Sequence, residues 1–128
     1  ALGNTPQPIN QPKPLRSEQH PQDWWDGIVQ AIQQALHEAN LSGDDIASIG
    51  MTGQMHGLVM LDKNGDVLRP AILWNDQRTQ KQCDEITQTI GFSRLIELTG
   101  NRALTGFTAP KILWVRDNEP DVYDICMD

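Results

Sequence analysis

Apolar positions recur along this chain in two rhythms, helical and alternating, separated by turn residues. Trp25, Ile28, Val29, Ile32, Leu36 and Ala39 follow i, i+3, i+4, i+7 spacing, which predicts an amphipathic helix. Pro21 suits its first turn, Asp23 and Asp26 complement the positive end of the helix dipole, and Asn40 or Gly43 ends it. Ser42-Gly43-Asp44-Asp45 reads as a turn, and Ile46 to Met51 as a short strand whose small residues suit a buried place in a sheet. Leu58 to Asp62 and Val67-Leu68 flank Lys63-Asn64-Gly65-Asp66. An Asn-Gly pair between apolar runs predicts a hairpin with positive φ at both central residues. Ala71 to Trp74 is a further strand.

Helical spacing returns from Thr79 to Ile90, with Cys83, Ile86 and Ile90 on one face and Gly91 as the stop. Arg94 to Leu98 makes a second short helix closed by Gly100-Asn101. A loop from Leu104 to Ala109 leads to Pro110, placed for the first turn of a helix through Val115. Residues 1–21 differ from all of this. They carry five prolines and few aliphatic side chains, so they are expected to be extended, polyproline-like or an edge strand, and unable to fold alone. The organisation is therefore an extended segment over 1–21 and a domain over 22–128, of class α/β, a mixed sheet with flanking helices.

Composition narrows the function. Asp and Glu outnumber Lys and Arg by 17 to 10, a net charge of -7 that repels phosphate backbones and anionic lipid and argues against nucleic-acid or membrane partners. The longest aliphatic run is Leu58 to Leu61, far below a membrane span, and the first residues have no basic or apolar leader pattern. Cys83 and Cys126 lack metal-ligand spacing and read as free thiols, as expected in a reducing cytoplasm. The chain starts without Met, through processing or as part of something longer.

Polar groups gather where two strands end. Gly53-Gln54-Met55-His56-Gly57 follows one, and Trp74-Asn75-Asp76-Gln77-Arg78 follows the other. In open α/β sheets ligands bind outside the carboxyl ends of strands. If the two strands are neighbours, amide, imidazole, indole, carboxylate and guanidinium converge, an inventory suited to a polyol: polar groups bracket hydroxyls and an indole face covers C–H bonds. Each residue also has a plain structural reading. His56 could be a turn residue, Trp74 core, Asp76 a helix cap and Arg78 a surface partner of Asp76 or Asp84. No phosphate-cradling glycine loop, zinc spacing or nucleophile elbow is present. The residues alone support a small-molecule pocket and leave the reaction open.

Longer blocks are more specific. Gly53 to Gly57, Arg69 to Arg78 and Gly106 to Asn118 (containing Lys111-Ile112-Leu113-Trp114), with Leu15 to Pro21 and Trp24-Trp25, resemble the N-terminal domain of the FGGY family of carbohydrate kinases. Within it they are most like the kinases of D-xylulose. The resemblance spans residue 15 to about 125. It implies a ribonuclease H-like (actin-like) fold, incomplete here, in a protein that transfers phosphate from ATP, with Mg2+, to D-xylulose. It further implies that Gln54, Met55, His56, Trp74, Asp76 and Arg78 serve the sugar, and that the block around Lys111 and Trp114 is structural. The family's phosphate loop, catalytic aspartate and nucleotide domain match nothing here, so these residues alone are expected to bind no cofactor and to be inactive. Arg16 departs from the aromatic residue common in D-xylulose kinases. Ribulose, gluconate or glycerol kinases, and a non-catalytic sugar- or partner-binding module, are the alternatives. A homo-oligomer joined through an exposed sheet edge is a further possibility.

Overall fold

A computed structural model describes residues 1–127. The first ordered pairing lies at the end of the proline-rich segment. Asn10 bridges Glu18, and Glu18–Gln19 forms strand β1, which pairs antiparallel with β2, Ala71–Ile72, in the register Glu18↔Ile72 and Gln19↔Ala71. Leu58 bridges the other side of Ile72, and Leu61 bridges Val67. The result is a narrow antiparallel ladder held by short, non-local contacts.

The helix expected from Pro21 forms as α1, Pro21–Ala39, with Pro21 in its first turn and Asn40 in the left-handed conformation (φ 53°) as its C-cap. Its apolar stripe does not face the core. Trp25, Ile28 and Ile32 are exposed, and Gly27 is the buried residue. Residues 1–7 instead lie along the small-residue face. The backbone of Gly3 packs so tightly against the Ala31 carbonyl that no added Cβ would fit.

The Asn-Gly hairpin also forms, through a different turn. Only Gly65 has positive φ (89°); its N–H donates to the Asp62 carbonyl and the Asp62 N–H to the Asp66 carbonyl. Asp62 also accepts from the N–H groups of Asn64 and Asp66, so a side chain stabilises a three-residue loop with Gly65 at the bulge. Leu58 and Met60 point inward while Val59 and Leu61 are exposed, the alternation of a half-buried strand.

Ile46 to Met51 departs from expectation: the segment has no partner among the described residues and is exposed, Ile49 by 77% and Met51 by 91%. A strand exists only by pairing, and nothing flanks this one. Around the ladder pack α2 (Gln80–Ile90), α3 (Phe92–Thr99), α4 (Thr108–Asn118) and α5 (Pro120–Met127). Helix α5 lay outside the sequence expectations, although Pro120 with Asp121 behind it is a usable start signal. The core joins Leu58, Met60, Ile72, Trp114 and Val115. The accessible surface is 8942 Å², against about 6,800 Å² for a compact chain of this mass. Exposed apolar residues on α1 and in the unpaired segment 46–51 contribute to the excess.

Candidate functional site

Three loops meet beside the ladder: residues 53–57, 74–78 and 104–107. Each is fixed by a particular contact. Lys111, in the first half of α4, is fully buried, and its Nζ donates to the carbonyls of His56 (2.6 Å) and Gly106 (2.7 Å). Gly106 in turn lies against the Trp74 carbonyl, where an added Cβ would come within 2.8 Å. The Phe107 ring stands 4.7 Å from the His56 ring, tilted by 41°. Thr105 Oγ1 donates to Gln77 Oε1, and Thr79 Oγ1 to the Thr105 carbonyl.

His56 occupies the left-handed region (φ 66°), uncommon for a residue with a side chain, and persists there because the surrounding contacts fix it. Met55 is 73% exposed and Trp74 54% exposed, so neither serves the core. Both open to solvent, as does His56. Gln54 faces another way, into a cavity of about 540 Å³ between residues 3–7, α1 and Leu73. A smaller cavity of about 320 Å³ opens beside His56, with Phe107, Leu95, Asn101 and Arg102 in its walls.

Asp76 and Arg78 are committed to each other. Asp76 is fully buried. Its Oδ2 accepts from Ser17 N at 2.7 Å and from Arg78 Nη2 at 2.7 Å, and its Oδ1 from Arg78 N and Nε, both at 2.9 Å. These four bonds use its acceptor sites, so in this conformation it braces the turn after Trp74. Burial alone would raise the Asp76 carboxyl, but the bonds from Arg78 and Ser17 outweigh it and hold the group below the ordinary carboxylate value. Thr79, not Asp76, is the N-cap of α2. Arg78 is likewise no surface partner of Asp84; only 3% of its side chain is exposed and its Nη1 lies 2.8 Å from Glu18 Oε1.

The charge network extends from there. Glu18 Oε1 also meets Arg69 Nη2 at 2.8 Å, and Arg69 Nε meets Glu119 at 2.7 Å. Two guanidiniums, Arg16 at 5.1 Å and Arg78 at 4.8 Å, lie over the Trp114 ring. Arg16 thus fills an aromatic contact by its planar cation. The sequence blocks contain Glu18 and Arg69 but assign neither a role, and Glu119 lies outside them, because charged residues so far apart read as surface groups. Cys83 is buried, and burial pushes its thiol up; both cysteines are free.

Mg-ATP finds no matching donor set here. Gly65, Gly91 and Gly100, the glycines with positive φ, sit at the hairpin turn and at helix ends, away from the three loops. No three acidic, His or Cys side chains cluster for a metal among the described residues. What the geometry offers is three exposed side chains, an imidazole, a thioether and an indole, on loops held by buried polar contacts.

The profile of the N-terminal domain of the FGGY family of carbohydrate kinases matches residues 1–126, and the chain belongs to that family. Among its relatives, a xylulose kinase of Lactococcus lactis is 49% identical over 115 residues, 90% of this chain and 23% of the relative. One from Bacillus subtilis is 46% identical over 116 residues, 91% of this chain and 23% of the relative. A crystal structure of a xyloylose kinase from Brucella ovis superposes with a TM-score of 0.85 at 38% identity, over 94% of this chain and 24% of that one. The chain therefore spans about a quarter of the length of these relatives. The fold is that of the ribonuclease H-like N-terminal domain of these kinases, as the sequence blocks imply; among the described residues the sheet is the short β1–β2 ladder.

Proposed function

We propose that this chain is part of an ATP-dependent kinase that converts D-xylulose to D-xylulose 5-phosphate, and that it supplies the sugar-facing part, with residues 22–128 as a partial sugar-binding domain and 1–21 as a strap along it. The observation that carries this reading is the exposed trio Met55, His56 and Trp74 on a backbone fixed by buried contacts. Exposed side chains on a rigid base suit recognition better than packing. Similarity to enzymes named xylulose kinase supplies the sugar.

In this reading the Trp74 ring covers the carbon chain of the ketose and His56 exchanges hydrogen bonds with its hydroxyls. Met55 packs against it, and Gln54 shapes the loop from the side of the larger cavity. Asp76 and Arg78 hold Trp74 in place from below. The terminal sugar hydroxyl attacks the γ-phosphorus, the bond to ADP breaks, and the hydroxyl proton passes to a base outside these residues. ATP and Mg2+ are likewise held elsewhere in the whole protein. A cytoplasmic setting fits this chemistry, and no helix among the described residues is long and apolar enough to cross a membrane.

A coupled assay on the whole protein containing this chain tests the reading. D-Xylulose should give the highest kcat/KM in a panel with ribulose, gluconate and glycerol. His56→Ala and Trp74→Ala should each raise the sugar KM about tenfold, the loss of roughly one well-placed contact. Equal rates across the panel remove the xylulose assignment, and unchanged KM values in both variants remove the pocket. Residues 1–128 alone should show no turnover above background.

A further inference from the structure

Lys111 is a fully buried lysine with no carboxylate within ion-pair distance among the described residues, unlike Arg69 and Arg78, which each have acidic partners. Asp76 attracts it only from farther away, and Arg78 repels it. A buried cation held by neutral carbonyls alone is an expensive way to fill a core, since an apolar side chain of similar volume avoids the desolvation cost. The arrangement makes sense by what the ammonium touches. One carbonyl belongs to His56, held in the left-handed region, and the other to Gly106, which lies against the Trp74 carbonyl.

We propose that Lys111 is a positioning residue for the sugar: through its bonds to the carbonyls of His56 and Gly106 it sets the loops that carry His56 and Trp74 at once. The inference rests on the sugar-kinase reading above. One bond fixes the peptide that follows His56 and so the direction of the imidazole. The other fixes the turn that places the Phe107 ring against His56 and the Gly106 backbone against Trp74. Without the ammonium both carbonyls lose a partner, the left-handed residue loses its hold, and the two loops drift independently. A misplacement on the scale of an ångström at such a site costs rate and affinity far beyond the energy of one hydrogen bond.

The decisive experiment is the Lys111→Met substitution, which keeps the stem and removes the ammonium, in the whole protein. The sugar KM should rise at least tenfold while the ATP KM stays within twofold of wild type. A sugar KM within twofold of wild type overturns the proposal. So does an equal rise in both KM values, which would mark a general packing role. If the variant does not fold, the wild-type protein labelled with 15N at lysine Nζ gives the second measurement. The Lys111 ammonium should appear as a slowly exchanging signal that shifts on saturation with D-xylulose; a signal indifferent to the sugar refutes positioning. Wild type that phosphorylates no sugar sinks the kinase reading and this inference together. An active wild type with an unaffected variant sinks this inference alone.

Discussion

Replacing Asp76 by Asn removes one charge and leaves the shape nearly unchanged. The Asn oxygen can still accept from Ser17 N or Arg78 N, but the new NH2 group faces the Arg78 guanidinium, donor against donor. Arg78, whose side chain is 3% exposed, keeps only Glu18 as a counter-charge, and Glu18 already serves Arg69. Breaking one partner of a buried pair costs about 3–5 kcal/mol. With a urea m-value of about 2 kcal/mol/M, the midpoint of unfolding should fall by roughly 2 M. That is a large share of the stability of a chain this size, on the order of 6–19 kcal/mol. The pH dependence provides an internal control. The folded pKa of Asp76 is depressed, so its contribution is complete above the unfolded value near 3.8 and is lost as pH falls through the folded value below it. The gap between wild type and Asp76→Asn should therefore narrow as pH falls below about 3.8. Urea titrations followed by tryptophan fluorescence at pH 7 and pH 3 read both effects. A loss under about 1 kcal/mol at pH 7 would refute the view that this pair anchors the turn after Trp74.

Lys111 should leave a pH signature of the same sign but of opposite origin, because its charged form is penalised by burial rather than held by partners. Burial pushes its ammonium down to about 8 from 10.5, so between those pH values the unfolded chain binds more protons and stability rises with pH. The stability of wild type relative to Lys111→Met should grow by about 3 kcal/mol across that window, measured by paired urea titrations; a flat difference contradicts the burial argument. Two glycines should also separate cleanly. Gly106→Ala forces a Cβ to within 2.8 Å of the Trp74 carbonyl, whereas at Gly53 nothing lies within 4 Å. The first should cost about 1–3 kcal/mol and the second under 0.5 kcal/mol in thermal or urea unfolding, and comparable losses would count against the close approach at Gly106.

Local chemistry was readable from the sequence wherever structure is set locally. Pro21, the acidic first turn and Asn40 placed α1 almost to the residue, and Asn64-Gly65 placed the hairpin. What the pattern could not carry was partnership. The stripe of Trp25, Ile28 and Ile32 marks a helix but not what covers it, and Ile46 to Met51 has the look of a strand without a neighbour to make it one. The loops bearing His56 and Trp74 were visible as polar clusters. Their foundation was not, because Ser17 to Asp76 and Lys111 to His56 are contacts 59 and 55 residues apart in sequence. A charge reads as solvated until its buried partner is known, which is why the plain structural reading of Arg78 was a surface pair and Glu18 carried no role of its own.

The long spacing of the Glu18 network also carries a consequence for the time at which the chain can fold. Glu18 leaves the ribosome about 60 residues before Arg78, an interval on the order of 3–12 s at ordinary synthesis rates. Arg69 in turn waits 50 residues for Glu119. Helix α1 can form early, since its caps are its own, but β1 cannot be buried until its counter-charges exist. A strand that precedes its counter-charges by 51 to 60 residues can therefore take its place in the ladder only after both arginines have been made.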